Sequence, residues 1–229
     1  MTTIEDDEFG EISISQYSRA RHIKLSVTPS GKLRATTPPM TPKFVIRRFI
    51  NTSRPKLREM LKKATQNTTY EEGMRIGKSH SIIVIPGNRL RAELKQLKII
   101  VTLPASANMK DDLVQRKVRE IVIKALRIEA RHYLTRRLAL LAKRHGYNYE
   151  RVRFSHASTR WGSCSSSGTI SLNIALMKLP FELIDYVLVH ELCHTEQMNH
   201  SDEFWRLVSL ADPHYKYHRR IIKSHTPSI

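Results

Sequence analysis

Two histidines four residues apart, with a glutamate directly after the first, stand in Val189-His190-Glu191-Leu192-Cys193-His194. Apolar Leu183, Ile184, Val187 and Leu188 lead into them, and Pro180 suits a first helical turn, so the spacing predicts a helix. On that helix the two imidazoles differ by about 40° around the axis and can reach one ion. Glu191 stands about 60° from His194, close enough to take a proton from an ion-activated water without becoming a ligand itself. Imidazole donors suit zinc, which in catalytic sites takes three protein ligands and keeps a fourth position for water. The expected chemistry is hydrolysis, with one Zn²⁺ per chain and Glu191 as general acid/base.

The third ligand expected is His200, six residues after His194. That is the metzincin spacing, but their glycine is replaced by Gln197 and no methionine follows residue 198. Asn199 is expected to bend the chain through a left-handed conformation. Ser201 reads as the N-cap of a following helix, with Asp202 and Glu203 in its first turn rather than on the metal. Cys193 reads as a packed thiol facing away from the ion.

Other elements must position this helix. Residues 11–37 alternate like paired strands with a turn at Pro29-Ser30-Gly31, and 44–65 carry a helical pattern interrupted near 51–55. Strand-like runs return at 73–86 and 97–103. Residues 110–145 form the longest helical pattern, with Ile128 in its apolar stripe and Gly146 placed as its C-cap. Short strands near 152–156 and 169–176 precede helices from 180 to the end. The order predicts an α+β fold, divided into a β-rich half with a helical insertion, 1–107, and a metal-binding half, 108–229. The run 169–176 is the expected strand along which an extended peptide would lie.

The 229 residues include 39 Lys and Arg against 21 Asp and Glu, a formal charge of +18. Five of the acids precede the first basic residue, Arg19, so the remainder is more basic still. Such a body attracts nucleic acid or another polyanion. Two cysteines make no disulfide framework, no apolar run approaches the ~20 residues of a membrane span, and no signal peptide is legible. A cytoplasmic location is expected.

Arg160-Trp161-Gly162-Ser163-Cys164, Ile170-Ser171-Leu172-Asn173, Leu179-Pro180, Tyr186-Val187, the histidine motif, Asn199-His200-Ser201 and Phe204-Trp205 follow in that order. This set resembles the YgjP-like metal-dependent hydrolases, relatives of the SprT and WLM zinc metallopeptidases. The region around 21–38 is similar to the N-terminal part of that family. The resemblance implies a zincin-type domain with His190, His194 and His200 on zinc and Glu191 as general acid/base. It implies a metallopeptidase first. A UTP-hydrolysing pyrophosphatase, a SprT-like protease on nucleic-acid-bound proteins, and a polyanion-binding module are the alternatives. Arg160 either contacts substrate or supports the site, and Trp205 reads as packing. Tyr215 or Tyr217 would donate to an oxyanion if either reaches the cleft.

Overall fold

The computed structural model describes residues 2–27, 33–65 and 69–229. They form two compact units, Met1–Thr68 and Thr69–Ile229.

In the first unit, strands β1 (Thr2–Asp6), β2 (Gly10–Gln16), β3 (Lys24–Val27) and β4 (Leu33–Thr37) make a sheet in the order β1-β2-β4-β3. β3 and β4 pair antiparallel as expected, with the 29–31 turn outside the described residues. The acidic N-terminal segment, read only as lacking a signal, is strand β1 and its turn. Asp6 and Glu8 there pair with Arg54 and Arg58. Helices α1 (Lys43–Thr52) and α2 (Arg54–Thr65) break at Ser53, within the interruption that the sequence showed. Ile12, Ile14, Ile46, Ile50 and Leu57 form their shared core.

The second unit carries the chemistry. Strands β5 (Arg75–Ile76), β6 (His80–Pro86), β7 (Arg91–Lys95) and β8 (Lys98–Leu103) form a sheet in the order β5-β6-β8-β7. It packs on α3 (Asp112–His145), the long helix, which ends at a left-handed Gly146. Strands β9 (Arg151–Ser155), β10 (Gly162–Cys164) and β11 (Thr169–Asn173) make a smaller sheet, ordered β10-β11-β9. A 3₁₀ turn at Ile174–Lys178 leads to α4 (Phe181–Cys193), α5 (Asp202–Ala211) and α6 (Tyr215–Ile222). The α+β plan, with a histidine-bearing helix beside a small sheet, is the expected one.

The division falls at 68/69 rather than at 107/108. Ile82, Ile99 and Val101 share one core with Val114, Val118 and Leu126 of α3. Gln115 also fastens the start of the unit, accepting from Tyr70 N at 2.8 Å and donating to Tyr70 O at 2.9 Å. Strand sequences show that one face is apolar but not which helix covers it, so the boundary was misplaced. Among the described residues no helix is long and apolar enough to cross a membrane.

Candidate metal centre

Helix α4 is apolar almost all round: Leu183, Ile184, Val187, Leu188, Val189, Leu192 and Cys193 are all buried. A helix enclosed on most sides is fixed in rotation, and that fixes the direction of His190 and His194. Beyond α4 the chain turns through 194–200 without a positive φ at Asn199, contrary to expectation. Thr195 N and Gln197 N return to the carbonyls of Leu192 and Cys193, and Asn199 Oδ1 accepts from Ser201 N at 3.1 Å. Local side-chain acceptance turns the backbone here, so no left-handed residue is needed. Ser201 caps α5 by accepting from Phe204 N, with Asp202 and Glu203 in the first turn as expected.

This path brings His200 back to α4. One nitrogen each of His190, His194 and His200 lies within 4.8 Å of the others, and the Nε2 atoms of His190 and His200 face each other at 3.1 Å. Two ligands bound ~2.0–2.1 Å from a tetrahedral ion stand on the order of 3.3 Å apart, so the spacing suits a shared ion. His194 Nδ1 donates to the Gln197 carbonyl at 3.0 Å, which leaves its Nε2 lone pair free. Burial, helped by the other two histidines and Arg219, pulls the His190 pKa down to about 3, keeping that ring neutral. Phe204, fully buried, packs against all three rings at centroid distances of 4.4–4.9 Å. Trp205 stacks on His200 at 5.6 Å. Three ring-buttressed imidazoles form a donor set suited to a divalent ion.

Glu191 is 5% exposed and its Oε2 has no hydrogen-bond partner. Burial raises its pKa to about 8, while the charge of Arg160 pulls the other way. It faces a cavity of about 230 Å³ shared with His190, Trp161, Gly162, Tyr186, Val187 and Ile222. A buried carboxyl group with one free oxygen, beside a ligand cluster and a cavity with room for water, is placed where it could exchange a proton with a molecule held there.

The model of the YgjP-like metallopeptidase domain family matches residues 21–225. The chain belongs to the YgjP-like family. It is therefore a metal-dependent hydrolase of metallopeptidase type. The crystal structure of the metallopeptidase zymogen of Pyrococcus abyssi abylysin is 31% identical over 39% of this chain and 92% of that one, with a TM-score of 0.36. No curated protein sequence matches significantly.

In this YgjP-like domain the remaining expected site residues fall in different places. Arg160 is exposed; its charge acts on Glu191, but its side chain does not line the cavity. Tyr215 stacks on Trp205 at 5.7 Å, behind His200. Arg219 lies over the same indole at 4.2 Å, so Trp205 braces a histidine as well as packing. Tyr217 is 55% exposed and meets His218 and Arg220 rather than the triad. The tyrosine on the cavity is Tyr186, one helical turn before His190 and missed in the sequence reading. The i, i+4 spacing with His190 was the available signal.

The expected substrate strand is also corrected. β11 is central, paired on both sides by β9 and β10, and has no free edge to offer. The strand packed against α4 is β10, which among the described residues pairs only with β11. Asn173 fixes the approach to it: fully buried, it donates to the carbonyls of Ala157 and Arg160 at 2.6 and 2.9 Å.

Gly162 on β10 explains itself by what it leaves open. A Cβ there would stand 2.5 Å from Glu191 Oε1 and 2.7 Å from its Cδ. Gly162→Ala is therefore expected to push the carboxylate out of place. Peptide hydrolysis should fall by about 10²-fold with metal content unchanged, since misplacement of a reacting group by ~1 Å costs that much. Activity within twofold of wild type would show that Glu191 has room the structure does not show.

Proposed function

We propose that the chain is a zinc-dependent peptidase in which His190, His194 and His200 hold the ion and Glu191 moves the proton. The observation that carries this reading is convergence: three imidazole nitrogens around one point, with the free oxygen of a buried carboxylate beside them. A bound divalent ion supplies a Lewis acid that lowers the pKa of water and polarises a carbonyl.

The chain's own groups do the rest. Glu191 accepts the proton of the attacking water as the water oxygen bonds to the scissile carbonyl carbon and the carbonyl π pair moves to oxygen. It then delivers that proton to the amide nitrogen as the C–N bond breaks. Burial holds the Tyr186 phenol at about 12, hence protonated at neutral pH. Its hydroxyl has no hydrogen-bond partner among the described residues, and it donates to the carbonyl oxygen as charge develops there. The unpaired edge of β10 is where an extended peptide adds as a further strand.

The cavity wall favours peptide over nucleotide. Trp161, Tyr186, Val187 and Ile222 offer apolar surface, and among the described residues neither lysine nor arginine lines it to neutralise a triphosphate. The test is zinc uptake together with cleavage of a casein-type protein. Wild type is expected to hold one zinc and to cleave, a chelator to abolish cleavage, added zinc to restore it, and His194→Ala to hold no tight zinc. UTP split to monophosphate and pyrophosphate, with casein intact, would replace this reading with the nucleotide one. A chain that takes up no metal would end both.

A further inference from the structure

A second cavity, of about 730 Å³, shares no lining residue with the one beside Glu191. It runs along α3, between the turns that precede β6 and β8 and the start of α4. Its volume lies in the range of ligand-binding clefts, about 300–1,000 Å³.

Four large apolar side chains line it while remaining about half exposed: Leu97 at 54%, Ile128 at 48%, Leu140 at 54% and Phe181 at 50%. Ile128 was expected in the core stripe of the helix, and the structure turns it outward. The charged groups are unevenly matched. Glu129, the one carboxylate in the lining, is spent on Lys78 N, Ser79 N and His80 Nδ1. Arg137 is spent on Asp185, at 2.6 and 2.7 Å. Lys78 Nζ lies 4.3 Å from the Phe181 ring centroid, donates to the Leu179 carbonyl, and has the charges of Glu129 and Glu182 nearby. His132 and Arg136 have no ion pair or hydrogen bond among the described residues.

Order along the helix decides what fits. Ile128, His132, Arg136 and Leu140 recur every four residues, so one ridge of α3 reads apolar, imidazole, guanidinium, apolar over ~18 Å. A fatty-acid-like molecule carries its charge at one end and leaves one apolar end or the cations unmatched. A nucleic acid supplies charge, and its bases can stack on Phe181 and Tyr133, but it offers no aliphatic group to cover Leu97, Ile128 and Leu140. We propose that this trough is a docking site for a polypeptide segment whose acidic residues are flanked by large apolar ones. The site stands apart from the histidine centre and does not depend on what is hydrolysed there. About six extended residues span its length.

The test uses the full chain carrying Glu191→Gln, so that binding is read without cleavage. A fluorescein-labelled Leu-Phe-Glu-Glu-Leu-Phe peptide is titrated by fluorescence anisotropy. Saturable binding is expected, weakened about tenfold by Arg136→Glu and several-fold by Leu140→Ser. Arg144→Glu, a charge reversal on the same helix outside the trough, should leave it within about twofold. A peptide with Gln for Glu, and one with Ser for Leu and Phe, should each bind more weakly than the parent. Both trough positions are exposed, so these variants should keep the wild-type melting temperature. Absence of saturable binding, or binding indifferent to Arg136→Glu, would remove the site. Tighter, Arg136-dependent binding of dodecanoate or of an oligothymidylate would reassign it to a lipid or to nucleic acid and overturn the proposal.

Discussion

Glu191→Gln is expected to lower kcat for peptide hydrolysis by about 10²–10⁴-fold, the usual contribution of a positioned general base, with metal content unchanged. Gln is nearly isosteric and Glu191 is buried, so the space against Gly162 stays filled. What is lost is the ability to take a proton from the attacking water. Tyr186→Phe, made alongside, removes one hydroxyl from the same cavity and keeps the ring between His190 and His218. Its expected loss is smaller, about 10²–10³-fold in kcat with KM little changed, as for one oxyanion donor. Steady-state kinetics on one peptide, with metal analysis of each preparation, checks both. Cleavage surviving in pure Glu191→Gln would remove Glu191 from the chemistry. A Tyr186→Phe effect confined to KM would make that tyrosine a binding residue only.

The second large effect is on stability. Glu129→Ala is expected to destabilise the Thr69–Ile229 unit by about 3–5 kcal/mol, since each donor left buried without an acceptor costs about 1–3 kcal/mol. The Glu129 side chain is 6% exposed and its His80 partner 3%. Its two oxygens hold Lys78 N at 2.7 Å, Ser79 N at 2.8 Å and His80 Nδ1 at 2.6 Å. The turn from Gly77 to His80 is thus wrapped around one carboxylate of α3. Alanine would leave the Lys78 and Ser79 N–H groups and the buried His80 Nδ1 without their acceptor. For a unit of this size the loss corresponds to a melting point about 10 °C lower. Thermal unfolding followed by circular dichroism measures it. A shift under 2 °C would mean that water reaches these groups.

The contrast between these two glutamates shows how far sequence carried. Glu191 was legible because its neighbours are chemically unusual: two histidines at helical spacing around a glutamate signal a metal site without any tertiary information. Glu129 was not. It sits in a helix with many charges, and nothing local tells a buried carboxylate from a solvated one until the Gly77–His80 turn folds onto it. Tyr186 lies between these cases, since its face of α4 follows from spacing but its free hydroxyl depends on which chain segments pack above it.

Legible from residue type and spacing were the ligand trio as candidates, the helices before and after the turn that ends in His200, the Gly146 cap, the Ser201 cap and the α+β order of elements. These rest on interactions within a few residues, which spacing and residue type encode directly. Tertiary structure alone decided the division at 68/69, the central place of β11, the edge role of β10 and the need for Gly162 beside Glu191. It also set Phe204 beneath three imidazoles and turned Ile128 out to a basic trough. Each of these depends on which apolar face meets which, over separations of tens of residues. The hydrophobic effect that drives such contacts is not directional, so the pattern that marks a face as buried does not name its partner.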